Sequence, residues 1–439
     1  MKFLLNLIER CPDGTIKYRN PFSGTECWYT PGRRHRPVHT EGTSVPQLLK
    51  KVDVEGYCTF CPKNYFYTTP EKSRVINIEN FLQIQRMLTA NQIFAQPALF
   101  RRISNLFEII SIDYWKKNYS YSLTSQQIKM KENYLSSELG REHVRSLLEH
   151  ITRRSSQQKA RIEDSALYEL ADGFFGGAHD LILPQFHFRP DAVTDHDLYS
   201  TGEMTAFEHH IYTVLTIDAL SDIYEQNRFV RFAGVYTNWR RDAGATLEHL
   251  HRQILGLDFW GYSIGRCVRQ VSANPEVFND YVNYLKNQHN LAICENDYAV
   301  AVADIGQPFS TVAVFSKSSG CRPFEHTHRE VEGFSEILLS IHAALGSGEA
   351  CNEEWYYPPR DSDCFFPWFV LIKWRKNRHA GIEGTTRLYI DTYRPEEIRD
   401  MMIDRLHLLR TSGKFNSLLI GKNGIREKRS LKYNSKKSS

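Results

Sequence analysis

No stretch of this 439-residue chain approaches the ~18 consecutive apolar residues of a membrane span. Its opening, MKFLLNLIER, is interrupted by Asn6 and ended by charge, too short for the apolar core of a secretory signal. Beside Cys58-Thr59-Phe60-Cys61 there is no second Cys-x-x-Cys, and the nine cysteines are an odd, otherwise scattered set. That usage points to a reducing cytosol and a cytoplasmic protein, where a close pair suggests metal or redox chemistry before a structural disulfide. Net charge is also small: the value is +4, and seven cations from Gly421 onward face only Glu427, so the rest of the chain is slightly acidic. No basic patch interleaved with aromatics accompanies that tail, so neither nucleic acid nor membrane is an expected partner. The tail, 421–439, is too polar to order itself and is expected to be a disordered, solubilising end.

Hydrophobic residues make up 41% of the chain, enough to bury the cores of two or three domains. Residues 18–40 read as a turn, a short strand and a basic loop carrying Arg33, Arg34 and Arg36. A strand-like alternation follows in SRVINI and again from Phe100 to Ile112. From Thr124 to Gln157 the chain is charged, with apolar residues at Leu135, Leu139, Val144, Leu147 and Leu148, the pattern of an amphipathic helical insertion, about 112–170. AHDLILPQFHF reads as strand, Thr205 to Gln226 as helix, Phe229 to Tyr236 as strand, Asn238 to Gly244 as polar loop and Ala245 to Gly256 as strand.

After Trp260 the series restarts, with helices at Pro275 to Gln288, Arg329 to Leu345 and from Pro395, and strands at LAICENDYAVAVAD, STVAVFSK, FPWFVLIKW and TRLYIDTY. Strands, helix, strands thus occur twice, predicting an α+β chain of two similarly built halves, 1–265 and 266–420.

The two-residue gap of Cys58 and Cys61 lets both thiolates reach one tetrahedral ion, although a redox dithiol or two packed cysteines remain open. Histidines or carboxylates must then complete the set, with His249 and either His187 or His196 as candidates. In ATLEHLHRQ, strand alternation would put His249, His251 and Gln253 on one face with Leu250 behind. An imidazole whose second nitrogen is held by a hydrogen bond can attack phosphorus, and the Gln253 amide could donate to the phosphate oxygens. Asn238 and Thr246 add neutral donors, and Arg33 and Arg36 add charged forks suited to phosphate. The alternative is a solvated strand face with incidental histidines.

NWRRDAGATLEHLHRQ, 238–253, resembles the active-site segment of galactose-1-phosphate uridylyltransferases, members of the histidine-triad superfamily. NPFSGTECWYTPGRRHRP, CTFCPKN, FRRISNLFEI and GAHDLILPQFH resemble further segments of that family in the same order, and the C-terminal strands line up with its second repeat. The resemblance implies two histidine-triad-like halves, each an antiparallel sheet with packed helices. It implies nucleotidyl transfer by a ping-pong route through a nucleotidyl-histidine, with a nucleotide sugar and a sugar 1-phosphate as substrates, in a homodimer. Residue by residue, it makes His251 the nucleophile, Gln253 and Thr246 phosphate contacts, Arg33 and Arg36 its counter-charges, and Asn105 and Asn238 nucleotide contacts. Cys58, Cys61 and His249 would hold a structural zinc with His187, which ends a strand as the family's histidine does; His196 is the rival.

Alternatives of the same chemistry are phosphorolysis of nucleoside-diphosphate sugars or dinucleoside polyphosphates. A third alternative is a nucleotide-binding module without catalysis. The chain departs from the family's His-Pro-His by Leu250, and Arg252 is expected to add a cation near the transferred phosphate. Pro367-Trp368-Phe369 replaces a metal-binding His-Trp-His of the second repeat, so a second metal is not expected.

Overall fold

A computed structural model describes residues 7–31, 45–50, 54–78, 81–156, 162–376, 381–421 and 431–433. Sixteen strands alternate with helices among these residues. The first three, β1 (Ile8–Arg10), β2 (Ile16–Arg19) and β3 (Glu26–Tyr29), form an antiparallel meander. The N-terminal half continues with β4 (Glu71–Ile78), β5 (Phe81–Arg86), β6 (Phe100–Ser104), β7 (His179–Pro184), β8 (Phe232–Trp239) and β9 (Arg252–Leu257). The C-terminal half supplies β10 (Ala292–Glu295), β11 (Ala299–Ala303), β12 (Thr311–Ser316), β13 (Cys351–Tyr356) and β14 (Phe369–Trp374). Last come β15 (Leu388–Ile390), which adds to β3 in parallel, and β16 (Leu419–Ile420).

The two halves share one sheet. Its order is β16-β10-β11-β12-β14-β13-β8-β9-β7-β6-β4-β5, antiparallel throughout, and the halves meet where β13 pairs with β8, Asn352 opposite Asn238 and Glu353 opposite Thr237. The predicted α+β architecture of two antiparallel halves is therefore present, with the halves joined edge to edge. The runs AVAVA and TVAVFS are buried at every position, because the strands of an internally covered sheet have no solvated face to alternate with.

Among the described residues twelve α-helices accompany the strands. In the N-terminal half, α1 (Ala90–Ala95), α2 (Ile112–Tyr119), α3 (Ser125–Leu135), α4 (Glu138–Ser156), α5 (Asp164–Leu170) and α6 (Asp172–Gly176) lie between β5 and β7. Met130, Tyr134, Val144, Leu147, Leu167 and Phe175 give this helical block a core of its own. The long α7 (Ala206–Gln226) starts at a capping box in which Thr205 and Glu208 satisfy each other's backbone N–H, and it packs on β7 and β9. In the second half α8 (Tyr262–Ala273), α9 (Val277–Asn283), α10 (His328–Leu345), α11 (Gly381–Thr386) and α12 (Pro395–Thr411) follow. Helix α10 packs against α7, β11 and α12, tying the halves together through their helices as well as their strands.

Expectations change in several places, and the strand read from Phe100 to Ile112 ends at Ser104. The strand foreseen from Ala245 begins only at Arg252, and 240–251 form a turn and bends, with Gly244 in the left-handed region at φ +92°. The end of the chain, expected to be disordered, is fixed at Leu431 and Tyr433: both are buried, and the Tyr433 hydroxyl donates to the Pro275 carbonyl at 2.7 Å. Contacts with α9, where the Tyr433 ring lies 6.1 Å from that of Phe278 and the Leu431 N–H donates to Asn279, give these two residues their burial, while 422–430 and 434–439 lie outside the described residues. None of the described helices is long and apolar enough to cross a membrane.

Candidate active site

Four side chains converge from three parts of the N-terminal half. Cys58 and Cys61 sit on a tight turn closed by the Cys61 N–H donating to the Cys58 carbonyl, and the Asn64 amide clamps that same carbonyl at 2.8 Å. His187 follows β7, and His249 precedes β9. The sulfurs are 3.7 Å apart; His249 Nδ1 lies 3.5 Å from Cys58 Sγ and 3.8 Å from Cys61 Sγ, and His187 Nδ1 lies 3.3 and 3.7 Å from them. A tetrahedral ion with bonds of about 2.3 Å to sulfur spaces its ligands about 3.8 Å apart, so the donor atoms already stand at the corners such an ion needs.

His249 Nε2 donates to the Pro184 carbonyl at 2.9 Å, which turns Nδ1 toward the sulfurs. Burial keeps the His187 ring below its ordinary pKa, in the neutral form that can act as a ligand. Hydrogen bonds from Cys58, then His187 and His249, hold the Cys61 thiol well below the usual range against the effect of burial. His196 is not part of this cluster; its Nε2 lies 4.0 Å from Asp195.

His251 lies two residues beyond the cluster and is 6% exposed. Its Nδ1 donates to the His249 carbonyl at 2.8 Å, so the ring proton sits on Nδ1 and Nε2 keeps its lone pair. Burial lowers the pKa of the ring; the hydrogen bond to the carbonyl opposes this, while His249 and His179 add to it, leaving a neutral imidazole. The ring of Phe60, from between the two cysteines, packs against His249 and His251 with centroids 6.0 and 5.6 Å away. The metal turn and the nucleophile candidate are thus one packed unit: the carbonyl that sets the tautomer of His251 belongs to a residue of the cluster.

The family described as Domain of unknown function (DUF4921) matches residues 11–433, nearly the whole sequence. The chain is a DUF4921 protein. No curated protein matches it. Among solved structures it is similar to an ADP-glucose phosphorylase from Arabidopsis thaliana with bound ADP-glucose, at a TM-score of 0.58 and 14% identity over 88% of this chain and 97% of that one. It is also similar to a galT-like protein from Arabidopsis thaliana, at a TM-score of 0.54 and 13% identity over 88% of this chain and 98% of that one. The DUF4921 chain is therefore a divergent member of the fold that the sequence resemblance implied.

Of the remaining candidates, Asn105 lies beyond the end of β6, its N–H donating to the His179 carbonyl at 2.7 Å, and Gln253 lies on β9. Both amides approach His179 Nε2, Asn105 Nδ2 at 3.2 Å and Gln253 Oε1 at 3.1 Å. Asn238 accepts a 2.7 Å hydrogen bond from Asn352, so the second half of the DUF4921 chain reaches the edge of the site. Thr246 is exposed on the turn before His249. Arg33 and Arg36 lie outside the described residues.

Arg252 contradicts its expectation. It is wholly buried, bonded to Glu353 at 2.9 Å and to Thr216 at 3.1 Å, over the ring of Tyr212. As the first residue of β9 it points opposite to Gln253, away from any phosphate there. Three residues that sequence reasoning did not single out belong to the site's surroundings: Phe60, His179 and Tyr236. His179 was visible as a histidine opening a buried strand, but neither Phe60 nor Tyr236 carries a signal beyond its aromatic character.

Proposed function

We propose that this protein is a nucleotidyltransferase acting on a nucleoside-diphosphate sugar, with His251 as the group that carries the nucleotide. The observation that supports this most is the 2.8 Å hydrogen bond from His251 Nδ1 to the His249 carbonyl, which leaves Nε2 as a neutral nucleophile. Nε2 attacks the α-phosphorus; the Nε2–P bond forms, the bond from phosphorus to the bridging oxygen breaks, and sugar 1-phosphate leaves with the electron pair. A second phosphorylated acceptor then attacks the same phosphorus through an oxygen, and the P–N bond breaks. The Gln253 amide, with Thr246, Arg33 and Arg36, would hold the phosphate oxygens, and Asn105 and Asn238 the nucleoside.

Cys58, Cys61, His187 and His249 would hold a zinc ion, the metal suited to two thiolates and two imidazoles. Such an ion would act structurally, bracing the cysteine turn against the segment of His249. Its four protein ligands leave no open position for water. The domain reading is a catalytic half, 1–265, and a second half, 266–420, that reaches the site through Asn352. A homodimer is proposed by resemblance alone. A reducing, cytoplasmic setting is proposed from the odd, scattered cysteine usage of the sequence.

The acceptor is either a sugar 1-phosphate, as in a hexose-1-phosphate uridylyltransferase, or inorganic phosphate. The similarity to an ADP-glucose phosphorylase favours testing the second beside the first. With α-labelled UDP-glucose and ADP-glucose, the protein should take up acid-labile label and His251→Gly should take up none. Chasing with phosphate then yields a labelled nucleoside diphosphate if the enzyme is a phosphorylase, and chasing with galactose 1-phosphate yields a labelled nucleotide sugar if it is a transferase. Equal labelling of His251→Gly would refute the mechanism.

A further inference from the structure

Gln253 can serve a phosphate only if its NH2 group, and not its oxygen, faces the substrate. Which way a glutamine amide points is decided by its neighbours. Gln253 Oε1 lies 3.1 Å from the Tyr236 hydroxyl, which donates to it, and 3.1 Å from His179 Nε2. His179 is itself fixed: its Nδ1 accepts the backbone N–H of Ile109 at 3.3 Å. A backbone N–H can only donate, so Nδ1 carries the lone pair, and in a neutral ring the proton then sits on Nε2. Burial favours that neutral ring. A donor on Nε2 admits only the oxygen of Gln253 beside it.

We infer that His179 is the positioning residue of this site: the Ile109 N–H sets the tautomer of His179, and His179 with Tyr236 sets the direction of the Gln253 amide, so that its NH2 is presented to the phosphate that His251 attacks. This rests on the nucleotidyl-transfer reading of His251. The sequence of choices passes from a loop to a strand to the reacting group. The same arrangement leaves Asn105 as a donor. Its Oδ1 accepts the Phe107 N–H at 3.0 Å, which turns its NH2 group to within 3.2 Å of His179 Nε2, the one contact here that would favour the opposite tautomer.

A role through Gln253 differs from a packing role in what a second substitution does. Q253A should slow uptake of label at saturating nucleotide sugar by about 100-fold, the cost of losing one donor to a developing charge. H179A should slow it by about 10-fold to 100-fold with little change in KM, as removing the partner that orients a reactive group does. H179A added to Q253A should then cost nothing further. H179Q, which can accept from Ile109 and donate to Gln253, should recover most of the rate. Equal losses from H179A in both backgrounds would overturn the inference.

A second measurement does not need activity. In 15N-histidine spectra of the full-length protein near neutral pH, with His179 assigned from H179Q, the ring should carry its proton on Nε2. A proton on Nδ1, with Asn105 donating to Nε2, would overturn the inference. If the wild type takes no label from any nucleotide sugar, the transfer reading fails, and the position of this proton still decides whether the relay exists.

Discussion

Arg252 and its neighbours show how one residue's direction separates chemistry from structure. His251 and Gln253 flank it, yet its guanidinium is buried beside Glu353, whose other carboxylate oxygen takes the His342 ring at 2.7 Å. Burial alone would raise the Glu353 pKa; Arg252 and His342 outweigh it and hold the carboxyl well below the usual range. Removing one partner of a buried pair strands the other, so Arg252→Met should lower unfolding free energy by about 3–5 kcal/mol in urea titrations, without abolishing the metal cluster. A loss under 1 kcal/mol would show the pair to be dispensable. At the same scale His187 and His196 are separable. Purified His187→Ala should lose most of its bound metal, whereas His196→Ala should keep about one ion per chain, as expected of a single four-ligand site. The reverse result would move the ligand to His196.

The convergence of His187 and His249 on the cysteine pair was legible because two thiolates separated by two residues need further partners to hold one ion. The direction of Arg252 was legible too, since alternation places it opposite its neighbours, but attention to the departure from the family obscured that parity.

Elements carry the site less regularly than the sequence pattern suggests. The histidines do not share a strand face; they lie on the irregular approach to β9, and the link between them is the His249 carbonyl. Irregular backbone frees a carbonyl that a strand ladder would have consumed. The loop after β6 holds a second irregularity. Glu108 tucks against Gly177, where a Cβ would collide with its Oε1, and burial pushes its carboxyl up to about 8, opposed by Lys72 and reinforced by Asp180.

Because that pKa rises on folding from 4.5 to about 8, the native chain binds the extra proton across this window. The contribution to stability is complete below 4.5 and lost as pH rises toward about 8. Urea midpoints should therefore fall more steeply over this range for the wild type than for Glu108→Gln. Parallel curves would show that Glu108 ionises normally. Neither Glu108 nor β13 stood out in the sequence, because burial of a lone carboxylate and pairing across the halves depend on contacts distant along the chain.

At the scale of the whole molecule the repeat of strands, helix, strands was enough to read two halves. Their fusion into a single sheet of twelve strands through β8 and β13 was not, since edge pairing leaves no periodicity in either strand alone. That fusion has a chemical consequence, because it brings Asn352 of the second half onto Asn238 of the first. The central claim, however, is a covalent one: the whole assembly holds one imidazole nitrogen ready for phosphorus. Peptide mapping by mass spectrometry, after brief incubation with a nucleoside-diphosphate sugar and quenching above neutral pH, tests it most directly. The account predicts a nucleoside monophosphate adduct on the peptide bearing His251, fragmenting to that ring. An adduct on any other residue, or none with any nucleotide sugar while sugar 1-phosphate is still released, would contradict it.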